Sequence, residues 1–512
     1  MTPIILDFVA HNARTQPNRT AVAEIATGRT WTFAEFDADV RRAEAVLRDR
    51  IAAPEGERVV MISRNSAAML IVQYACIRVG ALFVPLNWRL APPEIAFLID
   101  DCAPALLIHE EPFDALVPAD LAIPRLRIGA QRDDLAEAMA AFDAPGVGNG
   151  HRIDPERPIT ILYSSGTTGR PKGAVVTQLN GFTGGLGLAL GAHIGPRSKF
   201  LIEMPLFHTA GLFGACWSTM IVGGMLLIGQ KFEARATYER LADPAQGITH
   251  FFSVTQMAML MRLLPDFDGR RLARLDAYIT GGSPNPESHH RAWLDEGVMM
   301  LNGWGMSETC SSTAIPTGDF DLLRRKAGSI GVPHLAVELK AMREDGRAAA
   351  TGEVGELWAR GATVTPGYWN RPELNARAFV DGWFRTGDAA KQDEDGYWTL
   401  VDRIKDMFIS GGENIYSAEI EAAISEMAEV AEVAVIGVED ERWGEVGCAF
   451  VIPRAGAALD AEAVLAHCRR RLARYKVPKH VILTDEMVRT ASGKVQKHHL
   501  REHYARIGGQ TG

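Results

Sequence analysis

The alternation of short apolar runs with amphipathic runs is the feature that most constrains the fold of this 512-residue chain. Strand-like runs occur at 58–62, 81–86, 106–108 and 159–163, and residues 67–79 have helical periodicity. Because a strand–helix–strand rhythm places helices on the faces of a parallel sheet, it predicts layered α/β structure. A chain of this length also exceeds what one hydrophobic core usually supports, so two or more domains are expected.

The pattern changes toward the C-terminus. Around residues 339–360, alternating side chains and the turn signal Glu344-Asp345-Gly346 predict a β-rich subdomain. From about Asp402 onward, a segment of one small domain's length follows. Its expected strands and helices lie at 433–438, 449–452, 417–425 and 460–472. These runs predict a small α+β domain at the C-terminal end.

Charge and cysteine content argue against several classes of protein. A formal net charge of -9 gives no general attraction to nucleic acid or to an anionic membrane. The six cysteines contain no C-x-x-C pair, so neither a zinc knuckle nor a redox pair is indicated, and a reducing cytoplasmic location is expected. One local basic run is interpreted mainly as a solvated helix face, with a role in holding a phosphorylated ligand left open: Arg469, Arg470, Arg471, Arg474, Lys476 and Lys479.

Two segments of unusual composition need an interpretation. Residues 211–229 carry no charge and are as long as a bilayer crossing, but Gly223-Gly224 divides them into a helix-like half and a strand-like half. We therefore predict a buried core element and no integral membrane association. The Gly-rich stretch 181–191 is the one segment that suggests a low-complexity linker.

The strongest functional signal is the run Tyr163-Ser-Ser-Gly-Thr-Thr-Gly-Arg-Pro-Lys-Gly173, directly after a strand-like segment. Small hydroxyl and glycine residues let the backbone approach a polyphosphate, so that N–H and O–H groups can donate to its oxygens. Lys172 adds a positive charge. A P-loop needs glycine directly before its lysine, whereas Pro171 stands there, so a P-loop NTPase is not indicated.

Seven further motifs follow in order. They are residues 204–211, 280–284, 301–309, 382–388, 402–406, 408–420 and 489–494. Together with the first run they resemble the adenylate-forming superfamily, which contains acyl-CoA synthetases, adenylation domains of peptide synthetases and luciferases. The resemblance extends from about residue 5 to residue 505. A series in the family's order over nearly the whole chain is far more specific than any single motif.

The resemblance implies a nucleotide site assembled from several motifs. Glu308 is expected to bind Mg²⁺ with Thr168, and Asp388 to accept hydrogen bonds from ribose, with Arg403 at the ribose or phosphate. Trp304 stands where relatives often carry tyrosine against adenine, so stacking is expected to persist. The other nucleotide-contacting residues implied are Ser164, Ser165, Gly166, Thr167, Gly169, Lys172, Gly303, Gly305 and Ser307.

The resemblance also implies an acyl pocket. Its residues are His208, Gly281, Gly282 and Met306, and apolar lining is expected from Leu206, Phe207, Leu212, Phe213 and Trp217. The two adjacent glycines either leave room for a bulky group or permit a tight turn. His208 is interpreted as pocket lining and not as a base, because a carboxylic acid substrate is already ionised at neutral pH.

The last motifs imply a second chemical step and a moving domain. Gly411 and Gly412 resemble the loop beside the thiol tunnel, Lys405 the hinge residue, and Lys494 the lysine that bridges the incoming carboxylate and the α-phosphate. The implied domains are an N-terminal adenylation domain at 1–402, a hinge at 403–406 and a mobile C-terminal domain at 407–512. The implied catalytic residues are Lys494, Glu308, Thr168 and Lys172. Ser417 and Val488 stand where proline is common in relatives.

The function implied is an ATP-dependent, AMP-forming acyl-CoA synthetase that uses ATP, Mg²⁺ and coenzyme A. Its acid is expected to be hydrophobic, either aryl or phenylpropenoic, of the ferulate or 4-coumarate type, or a medium- or long-chain fatty acid. A stand-alone adenylation enzyme for another acceptor, a luciferase-like oxygenase and a non-enzymatic binding protein remain open. A homodimer is compatible with the resemblance.

Overall fold

Parallel strands with intervening helices build the first two thirds of the fold. The computed structural model describes residues 5–146, 148, 150–164, 171–282, 285–314, 319–410, 413–440, 442–489 and 495–508. Five β-sheets and fifteen α-helices occur in these ranges. The strand expected at 58–62 and the helix expected at 67–79 have those bounds, and the predicted mixed α/β architecture is confirmed.

A six-stranded sheet carries the predicted phosphate-binding motif. Its strands, in spatial order, are Lys172–Thr177, Pro158–Ser164, Leu82–Leu86, Arg58–Ile62, Leu106–Glu110 and Arg125–Ile128. The strands from Pro158–Ser164 to the far edge run parallel, whereas Lys172–Thr177 pairs with Pro158–Ser164 antiparallel. The motif therefore connects two adjacent strands, and it opens into a strand where a P-loop would open into a helix.

A nine-stranded sheet carries the next three motifs. Its strands, in spatial order, are Val332–Pro333, Cys310–Ala314, Met300–Met306, Ala277–Thr280, His250–Ser253, Lys199–Ile202, Met225–Ile228, Thr20–Glu24 and Thr30–Thr32. The six strands from Met300–Met306 to Thr20–Glu24 are parallel. His208, Gly281 and Met306 follow or end three of them at the carboxyl edge, where open α/β sheets bind their ligands.

Two smaller sheets follow in the chain. The β-rich one contains Val337–Met342, Gly355–Gly361, Phe379–Val380, Trp383–Gln392 and Trp398–Arg403, all antiparallel, as predicted for this region. The C-terminal one contains Phe408–Ser410, Glu413–Ile415, Val430–Asp440, Gly444–Pro453 and His480–Leu483. Near the N-terminus, Ile5–Leu6 pairs with Arg152–Ile153.

Helices cover these sheets and connect their strands. The α-helices are Phe8–Thr15, Phe33–Arg50, Ala67–Val79, Pro92–Cys102, Asp134–Ala140, Gln178–Gly191, Ser218–Ile221, Ala234–Ala242, Thr255–Arg262, Glu287–Asp295, Phe320–Arg325, Pro372–Ala378, Ser417–Ile424, Ala461–Arg471 and Lys497–Gly508. Short 3₁₀ turns lie at Glu111–Leu116, Pro244–Gln246, Gly269–Leu272, Ile404–Asp406 and Arg474–Lys476, and Ala210–Trp217 is π-helical.

The uncharged segment 211–229 is a core element, as predicted. Its first half lies within the helices Ala210–Trp217 and Ser218–Ile221, and its second half contains the strand Met225–Ile228. Nearly all of its side chains are buried. In the described ranges no helix combines the length and the apolar character needed to cross a membrane.

The suggestion of a linker at 181–191 is wrong, because these residues belong to the helix Gln178–Gly191. Thr177 caps this helix through the Asn180 N–H. A Cβ on Gly181 would lie 2.7 Å from Cε1 of Phe213, and one on Gly184 would lie 2.8 Å from Cβ of Cys310. Glycine costs about 1 kcal/mol of helix propensity relative to alanine. Here it lets the helix approach the core more closely than any side chain would allow.

Adding a methyl group at Gly181 is expected to destabilise the protein. The new Cβ must displace the rings of Phe213 and Trp217, and such overpacking typically costs about 1–3 kcal/mol, more than the propensity that alanine gains. We expect Gly181→Ala to lower the urea midpoint in unfolding followed by tryptophan fluorescence. Gly195→Ala is the control, because nothing lies within 4 Å of a Cβ there. A midpoint for Gly181→Ala equal to that of the unchanged protein would contradict the close packing.

Candidate active site

The two strands beside the phosphate motif hold its described ends next to each other. Ser164 ends one strand, Lys172 begins the other, and the two are paired across the hairpin. The Ser164 hydroxyl donates to the Lys172 carbonyl at 3.5 Å, and both side chains are half-buried. The intervening predictions lie outside the described residues: Ser165, Gly166, Thr167, Thr168 and Gly169.

Lys172 contacts two buried side chains that come from distant parts of the chain. Its Nζ lies 3.1 Å from Oε1 of Glu308 and donates to the Tyr368 hydroxyl oxygen at 2.5 Å. The Tyr368 hydroxyl in turn donates to Oε1 of Glu308 at 2.8 Å. Burial, then the charge of Glu308, raise the pKa of Tyr368 well above its ordinary value, so the phenol is protonated and acts as the donor. Tyr368 was not predicted from the sequence.

Glu308 is suited to bind a magnesium–nucleotide complex. Its side chain is 4% exposed, both of its contacts go to Oε1, and no hydrogen bond to Oε2 is found among the described residues. The described part of the chain contains no group of three or more His, Cys, Asp or Glu able to hold a metal by itself. A single carboxylate fits Mg²⁺ that takes most of its ligands from phosphates and water.

Trp304, Asp388 and Arg403 form a second cluster. The Trp304 indole N–H donates to Oδ2 of Asp388 at 2.8 Å, and Nε of Arg403 lies 3.3 Å from Oδ1. Asp388 and Arg403 are paired on adjacent antiparallel strands, which explains their proximity. Trp304 and Asp388 are buried. Each carboxylate oxygen can accept more than one hydrogen bond, so this cluster orients Asp388 and leaves acceptor capacity for a ligand.

Close backbone packing explains the glycines beside Trp304. A Cβ on Gly303 would lie 2.8 Å from the Thr313 carbonyl oxygen, and one on Gly305 only 2.0 Å from the Cys310 carbonyl oxygen. The antiparallel partner strand therefore excludes any side chain at these positions. Met306 and Ser307, which follow, are half-buried.

The predicted acyl-pocket glycines lie on the neighbouring strand end. A Cβ on Gly281 would lie 2.9 Å from the Gly303 carbonyl oxygen, and Gly282 has φ +80°, so the backbone alone requires both glycines. His208 is half-buried, and its ring meets that of Phe207 edge-on at 4.7 Å. Phe252 is half-buried beside these glycines and was not predicted from the sequence. A Cβ on Gly281 would lie 3.6 Å from its Cζ, and a Cβ on Gly214 would lie 3.5 Å from its Cε1.

The predicted apolar lining of the pocket is wrong for four of its five residues. Leu206, Leu212, Phe213 and Trp217 have no appreciable exposure and belong to the main hydrophobic core. Trp217 stacks on Tyr74 and donates to Oε1 of Gln73 at 3.2 Å. Core packing and a pocket wall both require apolar residues, so the sequence pattern does not distinguish them.

Asn65 positions the loop that carries His208, and it too was missed. Its side-chain amide donates to the Met204 carbonyl at 2.9 Å and to the Gly229 carbonyl at 3.2 Å. Its oxygen accepts from the Leu206 N–H at 2.9 Å. The side chain is buried, so these bonds satisfy backbone groups that water does not reach.

The predicted hinge is a short 3₁₀ turn, Ile404–Asp406. Just before it, Oδ2 of Asp402 accepts from the Ala418 N–H at 2.9 Å, at the first turn of the helix Ser417–Ile424. Burial raises the pKa of Asp402 to about 6. Lys405 lies within the turn, but its side chain lies outside the described part, as do Gly411, Gly412 and Lys494.

The local basic run is solvated, as interpreted, at five of its six residues, and Lys476 is half-buried. Arg469, Arg471, Lys476 and Lys479 pair with Glu462, Glu426, Glu419 and Asp440 at 2.6–2.7 Å. Such surface pairs each contribute about 0–1 kcal/mol.

Comparisons with known proteins identify the family. Residues 9–369 match the AMP-binding enzyme family and residues 419–494 its C-terminal domain. The chain is 36% identical to a feruloyl-CoA synthase of Amycolatopsis sp. (96% of this chain, 97% of the relative) and 36% identical to an indoleacetate–CoA ligase of Aromatoleum aromaticum (98% of both). It is 34% identical to a long-chain-fatty-acid–CoA ligase of Mycobacterium tuberculosis (97% and 98%).

Solved structures agree with this assignment. ATP-bound MatB from Rhodopseudomonas palustris superposes with a TM-score of 0.88 at 31% identity, covering 98% of this chain and 99% of MatB. The o-succinylbenzoate coenzyme A synthetase of Bacillus subtilis with ATP and magnesium gives a TM-score of 0.83 at 27% identity, covering 98% of this chain and all of that one.

The fold is thus that of an adenylate-forming enzyme. The chain belongs to the AMP-binding enzyme family and, within it, to the acyl-CoA synthetases, which are acid–thiol ligases. The predicted family and enzyme class are confirmed. The individual site residues and the domain boundaries stay predictions.

Replacing Trp304 by phenylalanine keeps an aromatic ring but removes the N–H that orients Asp388. A hydrogen bond to a charged group contributes about 1.5–3 kcal/mol, so we expect Trp304→Phe to weaken AMP binding about tenfold, measured by isothermal titration calorimetry. Trp398→Phe is the matched control, because Trp398 lies in the same apolar cluster and its indole nitrogen has no hydrogen-bond partner among the described residues. Equal loss in both variants would show that ring packing, and not the hydrogen bond, supports nucleotide binding.

Proposed function

We propose that this enzyme converts a hydrophobic aryl or phenylpropenoic acid to its CoA thioester, with ATP and coenzyme A as co-substrates. The observation that carries the proposal is that Lys172 contacts Glu308, and that Trp304, four residues before Glu308 in the chain, donates to Asp388. These groups supply a phosphate contact, a metal ligand and a ribose acceptor for one nucleotide.

In the first half-reaction, the substrate carboxylate attacks the α-phosphorus of ATP, the bond to pyrophosphate breaks, and an acyl-adenylate forms. No base is needed, since the carboxylate is ionised at neutral pH. Lys172 and Lys494 place positive charge where the attacking carboxylate and the phosphates approach each other. Glu308, with Thr168, would hold Mg²⁺, which neutralises phosphate charge when it is bound.

In the second half-reaction, the thiol of coenzyme A attacks the acyl carbon, loses its proton, and displaces AMP. We assign the change between the two steps to a turn of residues 407–512 about the hinge 403–406, centred on Lys405. This turn withdraws Lys494 and brings the Gly411–Gly412 loop to the site. Motion of this kind gates two reactions at one site and does not itself accelerate bond making.

The choice of acid rests on Phe252 and on the relatives. The ring of Phe252 lies close to the Gly281 and Gly214 positions, and we assign it to the wall of the acyl site. A bulky ring at that wall would favour a flat aryl group over an extended alkyl chain. Relatives named for feruloyl and indoleacetate substrates are 36% identical, and the one named for long-chain fatty acids is 34% identical, which agrees with this preference.

ATP–pyrophosphate exchange over a panel of acids tests the substrate class. We expect ferulate, 4-coumarate and indoleacetate to give higher kcat/KM than medium- and long-chain fatty acids. Phe252→Ala should shift the ratio of kcat/KM toward the fatty acids about tenfold, because one ring's volume becomes free. Phe142→Ala, at a half-buried phenylalanine away from the site, should leave the ratio unchanged. A preference for fatty acids in the unchanged enzyme would overturn the aryl assignment.

The same panel separates the remaining alternatives. Exchange without thioester formation from coenzyme A would indicate an adenylation enzyme for another acceptor, and light or oxygen uptake would indicate an oxygenase. Nucleotide binding without exchange would indicate a binding protein. The homodimer and the cytoplasmic location stay predictions.

Lys494→Ala tests the two-step mechanism. We expect acyl-adenylate formation to be lost by at least about 100-fold, because the lysine acts on the developing charge of that step only. Thioester formation from supplied acyl-adenylate should stay within about twofold of the unchanged enzyme. Both rates are measured on the same preparation, so each serves as the control for the other. Equal loss in both steps would contradict an exchange of catalytic faces.

A further inference from the structure

Tyr368 contacts both Lys172 and Glu308, and hydrogen bonds hold its backbone in place. Its backbone N–H donates to the Asn375 side chain at 2.7 Å, and its carbonyl accepts from the same side chain at 3.1 Å. Tyr368 also bridges to Ala174 on the strand that Lys172 begins. Both backbone groups of this tyrosine are therefore fixed before any ligand binds.

Lys172 and Glu308 differ in how freely they can respond to a ligand. The Lys172 side chain is 23% exposed, whereas that of Glu308 is 4% exposed. Lys172 can therefore turn toward a phosphate, and the direct ion pair with Glu308 then weakens. The Tyr368 hydroxyl remains in place because its ring is buried. It is the neutral donor that keeps Oε1 of Glu308 occupied when the lysine leaves.

We propose that Tyr368 is a positioning residue for the metal ligand Glu308. By binding Oε1, the hydroxyl fixes the carboxylate so that Oε2 stays available to Mg²⁺, and by also accepting from Lys172 it prevents the lysine from occupying both oxygens. Partners of this kind orient a metal ligand without touching the metal, and their loss typically lowers metal affinity about 10–100-fold. Tyr368 takes no part in bond making. The inference rests on the proposed function, in which Glu308 holds Mg²⁺.

Removal of the hydroxyl should therefore act on the metal and not on the nucleoside. In Tyr368→Phe the ring and its packing remain, but Glu308 loses its neutral donor and pairs with Lys172 alone. We expect the Mg²⁺ concentration needed for half-maximal ATP binding to rise about tenfold. AMP binding without Mg²⁺ should change by less than about twofold, because Trp304 and Asp388 are unaffected.

The experiment is isothermal titration calorimetry of ATP, in the absence of any carboxylic acid, at a series of Mg²⁺ concentrations. The variants are Tyr368→Phe and, as the matched control, Tyr238→Phe. The Tyr238 hydroxyl bonds the Asp268 backbone, and its ring is fully buried far from Tyr368 along the chain. A shift in the Mg²⁺ dependence for Tyr368→Phe alone supports the proposal.

Two results would overturn it. One is an unchanged Mg²⁺ dependence in Tyr368→Phe, and the other is an equal weakening of AMP binding, which would show a general loss of site structure. If ATP binding by the unchanged enzyme did not depend on Mg²⁺, the proposed function itself would fail. The Mg²⁺ dependence of the unchanged enzyme tests the proposed function, and that of Tyr368→Phe tests the role of Tyr368, so the two failures remain distinguishable.

Discussion

Hydrogen bonds made by residues 365–369 hold the candidate site together. The Thr365 N–H donates to the Glu308 carbonyl at 2.7 Å, next to the nine-stranded sheet. The Trp369 N–H donates to the Gly173 carbonyl at 2.8 Å, and the Val175 N–H donates to the Gly367 carbonyl at 3.0 Å, both on the six-stranded sheet. The two large sheets share no strand. Residues 365–369 therefore link the two sheets beside Lys172 and Glu308.

Much of the fold and the identity of the enzyme were predictable from the sequence. Inner strands are buried on both faces and therefore have continuous apolar runs, so the sequence predicts the strand at 58–62. Helical periodicity in turn predicts the helix at 67–79. The family was predictable because its phosphate, metal and ribose residues lie in short, ordered motifs. Pro171, directly before Lys172, was sufficient to argue against a P-loop.

Long-range contacts were not predictable in the same way. Tyr368 lies 60 residues from Glu308 and 196 from Lys172 in the sequence, and nothing near it in the chain indicates that it joins them. The helix 178–191 was misread because its glycines have low helix propensity, whereas tertiary packing requires them. Trp217 was placed in the pocket because an apolar residue suits a core and a pocket equally. In each case the deciding neighbour is distant in the chain.

The carboxylate of Asp402 has a consequence for the energetics of the proposed domain movement. It is buried, its pKa is raised to about 6, and it accepts from the first turn of a helix beyond the predicted hinge. A turn of the C-terminal segment that separates Asp402 from Ala418 would expose this group to water, where the pKa of an aspartate is about 3.9. Between these two pH values the buried form binds a proton that the exposed form releases. The conformational equilibrium of the enzyme would then be linked to proton concentration, with acid favouring the closed contact.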